Sequence, residues 1–353
     1  MPRPISARID QDALEHNLQV ARRATSARIM AVIKANGYGH GLLRVAEALS
    51  SADGFALLDI KDAIALREAG YRQSILLLEG FFDAEDLEQI AAYDLGAVVH
   101  SEWQIRLLDA YPRVDSLDVW LKVNSGMHRL GFHPAQVGMA MEALQRHRAV
   151  REITLMTHFA NADDERGIVM QLETYNEIAA NYRVSRSLAN SAALLRYPET
   201  HGDWVRPGLM LYGASPFADI SAAQLGLKPA MSLKSRIIAT QRLKAGDEVG
   251  YGGKYRAERE MRIGVVACGY ADGYPRHAGN GAPVLVEGRK SQLLGRVSMD
   301  MLCVDLTGLP EAGTGSEVTL WGAGMPIEEV ASSSETISYE LMCALTPRVP
   351  MLT

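Results

Sequence analysis

Cysteine is scarce in this chain. Cys268, Cys303 and Cys343 are an odd, scattered set. They offer no disulfide framework and no metal-ligand spacing, and they suit a reducing compartment. No apolar run approaches the ~20 residues that cross a bilayer. The opening residues Met1-Pro2-Arg3-Pro4-Ile5-Ser6-Ala7-Arg8 lack the apolar core of an export signal, so a cytoplasmic location is expected. Excess positive charge is missing as well. The net charge of -6 argues against nucleic acid or an anionic membrane as the main partner. No Walker-type loop occurs, so no nucleotide is implied. There is no low-complexity segment and no long linker.

What remains is an ordinary globular composition, 48% hydrophobic and 22% charged, in a length that favours two domains. Asp10 is placed to cap a first helix with Leu14, Leu18 and Ala21 at helical spacing. Short apolar runs then alternate with amphipathic stretches. Strands are expected at residues 30–34, 54–58, 74–79, 97–100, 118–123, 152–158, 186–189 and 204–212. Helices are expected at 42–49, 60–69, 84–93, 102–111, 134–148, 166–181 and 191–196. Eight alternations favour a closed (β/α)8 barrel of the TIM type, with one helix before its first strand. The same count leaves an open doubly wound sheet as the alternative. After about Pro229 helical periodicity fades. Residues 231–243, 262–268, 283–287, 292–306 and 317–321 are strand-like and separated by glycine turns. This predicts a barrel over residues 1–229 and a mostly antiparallel β domain over 230–353, closed by a short helix near 339–345. Residues 4–9 could add a strand to either.

The stretch over residues 30–41 organises the rest. An apolar run ends in Lys34, and a glycine-rich turn leads into a helix. A lysine at the end of a buried strand is costly unless it is paired or converted, and an imine with an aldehyde cofactor is one such use. A structural lysine with a snorkelling amine is the plain alternative. Barrel chemistry gathers at the C-terminal ends of strands. Lys34, Lys122, His158, Asn190, Ser191, Arg206 and Gly208 all fall there. Singly, each could be a rim ion pair or a packed loop residue; together they read as a site. The β-domain loops add Tyr251, Tyr255, Tyr270, Tyr274 and Tyr339.

The motifs Ala31-Val32-Ile33-Lys34-Ala35-Asn36-Gly37-Tyr38-Gly39-His40-Gly41 and Lys122-Val123-Asn124-Ser125-Gly126-Met127-His128-Arg129-Leu130-Gly131-Phe132 are highly specific. So are Met156-Thr157-His158-Phe159-Ala160 and Val205-Arg206-Pro207-Gly208-Leu209-Met210-Leu211-Tyr212-Gly213. Gly269-Tyr270-Ala271-Asp272-Gly273 and Gly295-Arg296-Val297-Ser298-Met299-Asp300 complete the set. Across nearly the whole chain the sequence resembles the alanine racemases, fold-type III enzymes that use pyridoxal 5'-phosphate. The resemblance implies that Lys34 binds the cofactor covalently and serves as base on one face of alanine. It implies that Tyr251, from the β domain of a partner copy, serves on the other, so the enzyme would be a homodimer with shared sites. A free tyrosine titrates near ~10, so the phenol would need nearby positive charge or hydrogen bonds.

By the same resemblance Arg206 faces the pyridine nitrogen and His158 lies beside the ring and Arg206. Tyr38, Ser191, Tyr339 and the Gly208 and Leu209 amides hold the phosphate, with Asn190 alongside. Arg129 touches the cofactor phenol and the substrate carboxylate. Lys122 is a candidate for carbamylation, which would steady Arg129. The Met299 backbone is a second carboxylate contact. Tyr270, Tyr339 and Ile337 form an inner gate, with Arg296 and Asp163 further out. No metal is implied. A broader amino-acid racemase, a PLP-carrier protein built on the barrel alone, and a Schiff-base aldolase are the competing readings. The β domain with Tyr251 and the residues grouped around Arg206 weigh against the last two.

Overall fold

The structure, a computed structural model, describes residues 3–110 and 116–353. Tyr111, where the sequence places the end of a helix, lies outside the described residues, as do Met1 and Pro2.

Strand β1 (Ser6–Ile9) precedes a helix, Gln11–Ala24, whose N-cap Asp10 accepts a hydrogen bond from Ala13 N at 2.9 Å. A side-chain acceptor there satisfies an otherwise orphaned amide. Leu14, Leu18 and Ala21 are fully buried on one helix face. Eight parallel strands follow: β2 (Arg28–Val32), β3 (Gly54–Leu57), β4 (Ser74–Leu77), β5 (Gly96–Val99), β6 (Leu117–Lys122), β7 (Val150–Met156), β8 (Ser185–Ser187) and β9 (Trp204–Val205). They close into a barrel in that order, β9 pairing back to β2 through Arg28–Trp204 and Ile29–Val205. Closure settles the choice between barrel and open sheet. Helices cover the outside while side chains fill the inside, so strands such as Gly54–Leu57 are buried at every residue.

The second half is antiparallel except for its last strand, which pairs in parallel with β1. It runs through β10 (Met231–Leu243), β11 (Glu248–Val249), β12 (Tyr255–Arg256), β13 (Met261–Val266), β14 (Pro283–Val286), β15 (Arg289–Leu294), β16 (Leu302–Asp305), β17 (Glu317–Trp321) and β18 (Met351–Leu352). The sheet order is β13-β16-β15-β14-β17-β10-β1-β18, and β10 also pairs with β13. β1 therefore lies against β10, with Ala7 opposite Leu233. Helices Ile327–Ser333 and Ser338–Cys343 complete this half.

Three local expectations differ from the structure. The apolar stretch 204–212 is not one strand. It ends at Val205 and continues into a buried 3-10 turn, Leu209–Tyr212. Residues 292–306 are two strands, because Gly295 (φ 74°) breaks the run and residues 295–301 form a loop. Strand β2 stops at Val32, two residues short of Lys34.

Candidate active site

Lys34 does not close a strand. It opens a short left-handed turn, Lys34–Tyr38, in which Ala35, Asn36 and Tyr38 have φ of 53°, 55° and 51°. L-residues occupy this region at a cost of roughly 1–2 kcal/mol each. Gly37 N donates to Ile33 O at 2.9 Å, and Asn36 Oδ1 accepts from Leu42 N at 2.8 Å. Gly39 continues the turn where no other residue fits, since an added Cβ would lie 2.2 Å from Met342 O. As a result Lys34 and Tyr38 both line one cavity.

That cavity, about 640 Å³, sits at the C-terminal ends of the barrel strands. Lys34, Tyr38, Lys122, Arg129, His158, Asn190, Ser191, Arg206, Gly208, Leu209, Ile337 and Tyr339 all line it. Among the described residues its one acidic lining residue is Glu79, just beyond β4. The sequence signal for Glu79 is a charge ending the apolar run 74–79. Glu79 is not among the expected site residues, nor is Tyr212. Its ring stacks under Tyr38 at 4.4 Å, and its hydroxyl donates to Val32 O at 3.0 Å.

The electrostatics are lopsided. Among the described residues, four basic side chains, Lys34, Lys122, Arg129 and Arg206, line the cavity with one carboxylate. Burial, then Arg129, lowers the Lys34 ammonium pKa, while Glu79 and Cys343 oppose the fall. Lys122 is pulled down to about 8 by burial and then by Arg206, Arg129 and Lys34. Burial first and Arg206 next hold His158 well below its usual range, so it is neutral. Arg206 is lowered to about 10 by burial and stays protonated near neutrality. Its guanidinium donates to Ser187 Oγ and Thr157 O, each at 2.6 Å, and to Leu188 O at 3.3 Å. None of these acceptors is a carboxylate.

Ser191 begins the helix Ser191–Arg196, capped by Asn190 through a 2.9 Å bond from Ala193 N. Ser191 Oγ accepts from Gly208 N at 2.9 Å. A Cβ on Gly208 would stand 2.6 Å from the Tyr38 hydroxyl. Burial and nearby Asp163 push the Tyr339 phenol up to about 12, so Tyr339 and Tyr38, 5.7 Å apart by ring centroids, are neutral donors.

The β-domain candidates are elsewhere. Tyr251, Tyr270, Arg296 and Met299 do not line this cavity. Tyr251 is 71% exposed, at the tip of a glycine turn between β11 and β12, and Met299 is 52% exposed. Asp163 lies outside the cavity lining but near Tyr339.

Known proteins match this arrangement. Residues 9–216 match the alanine racemase N-terminal domain and residues 230–353 the alanine racemase C-terminal domain. The alanine racemase of Nitrosospira multiformis is 57% identical over 357 residues, covering 100% of both chains. The catabolic alanine racemase of Klebsiella aerogenes is 54% identical over 357 residues, again covering 100% of both. The crystal structure of the biosynthetic alanine racemase of Pseudomonas aeruginosa superposes with a TM-score of 0.97 at 47% identity, covering 99% of each chain. Barrel, β domain and lysine-centred cavity thus define an amino-acid racemase. The chain belongs to the alanine racemase family.

Proposed function

We propose that this protein interconverts L- and D-alanine with pyridoxal 5'-phosphate bound at Lys34, using Lys34 and the Tyr251 of a second copy as the two acid/base groups. The observation that carries the reading is the division of the site. The barrel mouth holds a cavity with a lysine and an anion cradle, while the second acid/base candidate stands exposed on the other domain.

The residues present suit the cofactor. Ser191, Gly208 and Leu209, with the Tyr38 and Tyr339 phenols, offer short hydroxyls and amides for a phosphate at the mouth, and glycine at 208 permits the close approach. Arg206 would face the ring nitrogen and Arg129 the phenolic oxygen. Asn190 and neutral His158 would line the ring's surroundings. The cofactor supplies the electron sink that makes the substrate Cα–H acidic.

The chain's own groups do the rest. Arg206 keeps its protons and so would leave the ring nitrogen of the bound cofactor without one, which would restrain side reactions. Burial, by lowering the Lys34 pKa, favours the neutral amine that would take or return the Cα proton on one face. Tyr251 of the second copy does the same on the opposite face, so inversion needs a homodimer. Arg129 and the Met299 backbone hold the substrate carboxylate. Tyr270, Tyr339 and Ile337 narrow the approach to a small side chain, with Arg296 and Asp163 further out. Lys122, buried with a pKa of about 8, has the neutral fraction that carbamylation requires. A cytoplasmic location accords with three free cysteines. Among the described residues no helix is long and apolar enough to cross a membrane.

The test is the visible absorbance of the purified protein and proton exchange at Cα. Lys34→Ala is expected to lose the absorbance of lysine-bound cofactor. Tyr251→Phe is expected to slow deuterium exchange from L-alanine more than from D-alanine. A wild-type protein that stays colourless after incubation with pyridoxal phosphate would sink the proposal.

A further inference from the structure

The loops that carry the exposed Tyr270 and Met299 share a cluster of four charged residues, of which Asp272 alone is buried. Asp272 is fully buried. Its Oδ1 accepts from Arg3 Nη1 at 2.7 Å and lies 3.3 Å from Arg348 Nε, and its Oδ2 accepts from Gly269 N at 2.9 Å. Both arginines reach a second acidic residue: Arg3 Nη2 donates to Asp300 O at 2.7 Å, and Arg348 Nη2 donates to Asp300 Oδ1 at 2.6 Å. Two guanidinium groups and two carboxylates form a neutral, interlocked quartet, so the buried charge of Asp272 is fully paired.

The quartet joins two loops and a chain end. Tyr270 N donates to Ser298 O at 3.1 Å, and Ala271 N to Met299 O at 2.9 Å. A Cβ at Gly269 would stand 2.3 Å from Met299 O, so the loops touch backbone to backbone. The segment following the Tyr339 helix is tied in as well, since Thr346 Oγ1 donates to Ala271 O at 2.9 Å. Tyr270 and Met299 are exposed on this platform and do not line their own chain's cavity. The Met299 N–H makes no hydrogen bond to the described residues.

We infer that Asp272, clamped by Arg3 and Arg348, is a positioning residue that fixes the Met299 backbone and Tyr270 where the second copy's active site needs them. Its effect is therefore exerted in trans, on the site whose Lys34 belongs to the other chain. The inference rests on the shared-site reading above. Displacing a carboxylate-binding group by about 1 Å can cost up to about 100-fold in kcat/KM. Asp272→Asn keeps the shape and removes the charge that holds both arginines. The expected result is a 10- to 100-fold lower kcat/KM for L-alanine, carried mainly by KM. Amides 269–272 and 298–300 should exchange hydrogen faster in the variant.

Hybrid dimers separate this from general damage. A Lys34→Ala chain paired with an Asp272→Asn chain retains one site with both wild-type halves. It should show about half the wild-type activity at a wild-type KM. Both substitutions on one chain, paired with a wild-type chain, leave only a site with a loosened platform, and KM should rise. The control replaces Asp272→Asn by Tyr251→Phe. If that pair fails to complement, the shared site itself is wrong. If it complements while the Asp272→Asn hybrids show the same KM in both arrangements, the clamp is refuted. Should Asp272→Asn fail to fold, Arg3→Gln, which releases one of the two guanidiniums at a part-exposed position, must show the same dependence on arrangement with a smaller rise of about threefold. An Arg3→Gln KM equal to wild type overturns the proposal.

Discussion

His40 offers a worked case of acid sensitivity. Its ring is fully buried, its Nδ1 hydrogen-bonds Tyr38 O at 2.8 Å, and Nε2 has no partner among the described residues. The ring packs at 4.8 Å from Tyr212, which itself stacks under Tyr38. Burial lowers its pKa from 6.5 to about 4; Arg44 adds to the fall, and the Tyr38 and Gly37 carbonyls oppose it. The unfolded chain thus takes up a proton at a pH where the folded chain refuses it. Stability is then level above about pH 7, falls as pH drops from 6.5 to about 4, and receives no further contribution from His40 below that. At 1.36 kcal/mol per pH unit, His40 alone removes about 3 kcal/mol across the window. His158, held low for the same reason, pulls in the same direction. His40→Asn retains a side-chain donor for Tyr38 O and deletes the titration. It should be less stable than wild type near neutrality, because the ring packing is lost, and the gap should shrink by about 3 kcal/mol by pH 4. Urea unfolding of both proteins at half-unit pH steps and one fixed protein concentration measures this. A gap that is constant from pH 7 to pH 4 would refute the reasoning.

Two further substitutions probe how the site is supported. Asn17→Ala removes a fully buried side chain that donates to Leu211 O at 3.0 Å and Lys228 O at 2.8 Å and accepts from Lys228 N at 2.8 Å. The three stranded backbone groups should lower unfolding stability by about 3–5 kcal/mol, and a loss below 1 kcal/mol in urea titrations would contradict the accounting. Gly39→Ala places a methyl 2.2 Å from Met342 O at a φ of 77°. It should cost about 2–5 kcal/mol and weaken binding of pyridoxal phosphate, read by fluorescence titration, by parting the Lys34 turn from the Tyr339 helix.

The barrel was legible because each of its strands is short, apolar and flanked by an amphipathic helix, a pattern few folds share. The cavity lining was legible because polar residues gather at the ends of several such strands at once, which a single rim ion pair or packed loop residue does not explain. Periodicity failed where apolarity outlived the strand. Leu209–Tyr212 is buried as a 3-10 turn beneath Tyr38, and a buried turn reads like a buried strand. The run 292–306 alternates through its own break, and only Gly295 marks the loop that carries Arg296 and Met299. The placement of β1 on β10 also exceeds what local sequence encodes, since that pairing joins residues more than 220 positions apart.

The left-handed turn at Lys34–Tyr38 was the least legible feature and one of the most informative. Asn36, Gly37 and Gly39 announce a turn, but nothing announces that Ala35 and Tyr38 join it in the left-handed region, and with Asn36 they store roughly 3–6 kcal/mol of backbone strain. Strain of that size persists only where the surroundings over-determine the conformation. Here they do. Asn36 Oδ1 takes the Leu42 amide, Gly39 abuts Met342 O, and the Tyr38 ring is stacked on Tyr212 and contacts Tyr339. A right-handed helix starting at Lys34 would also bring residues four apart to one face, so shared facing alone does not explain the strain. What the left-handed turn adds is reversal within five residues. The chain leaves β2 inside the barrel wall, presents Lys34 and Tyr38 to the cavity, and departs at Gly41 into a helix on the outside. The strain is therefore concentrated where the Lys34 amine and the Tyr38 phenol share one short segment facing the cavity, and the rest of the fold holds it there.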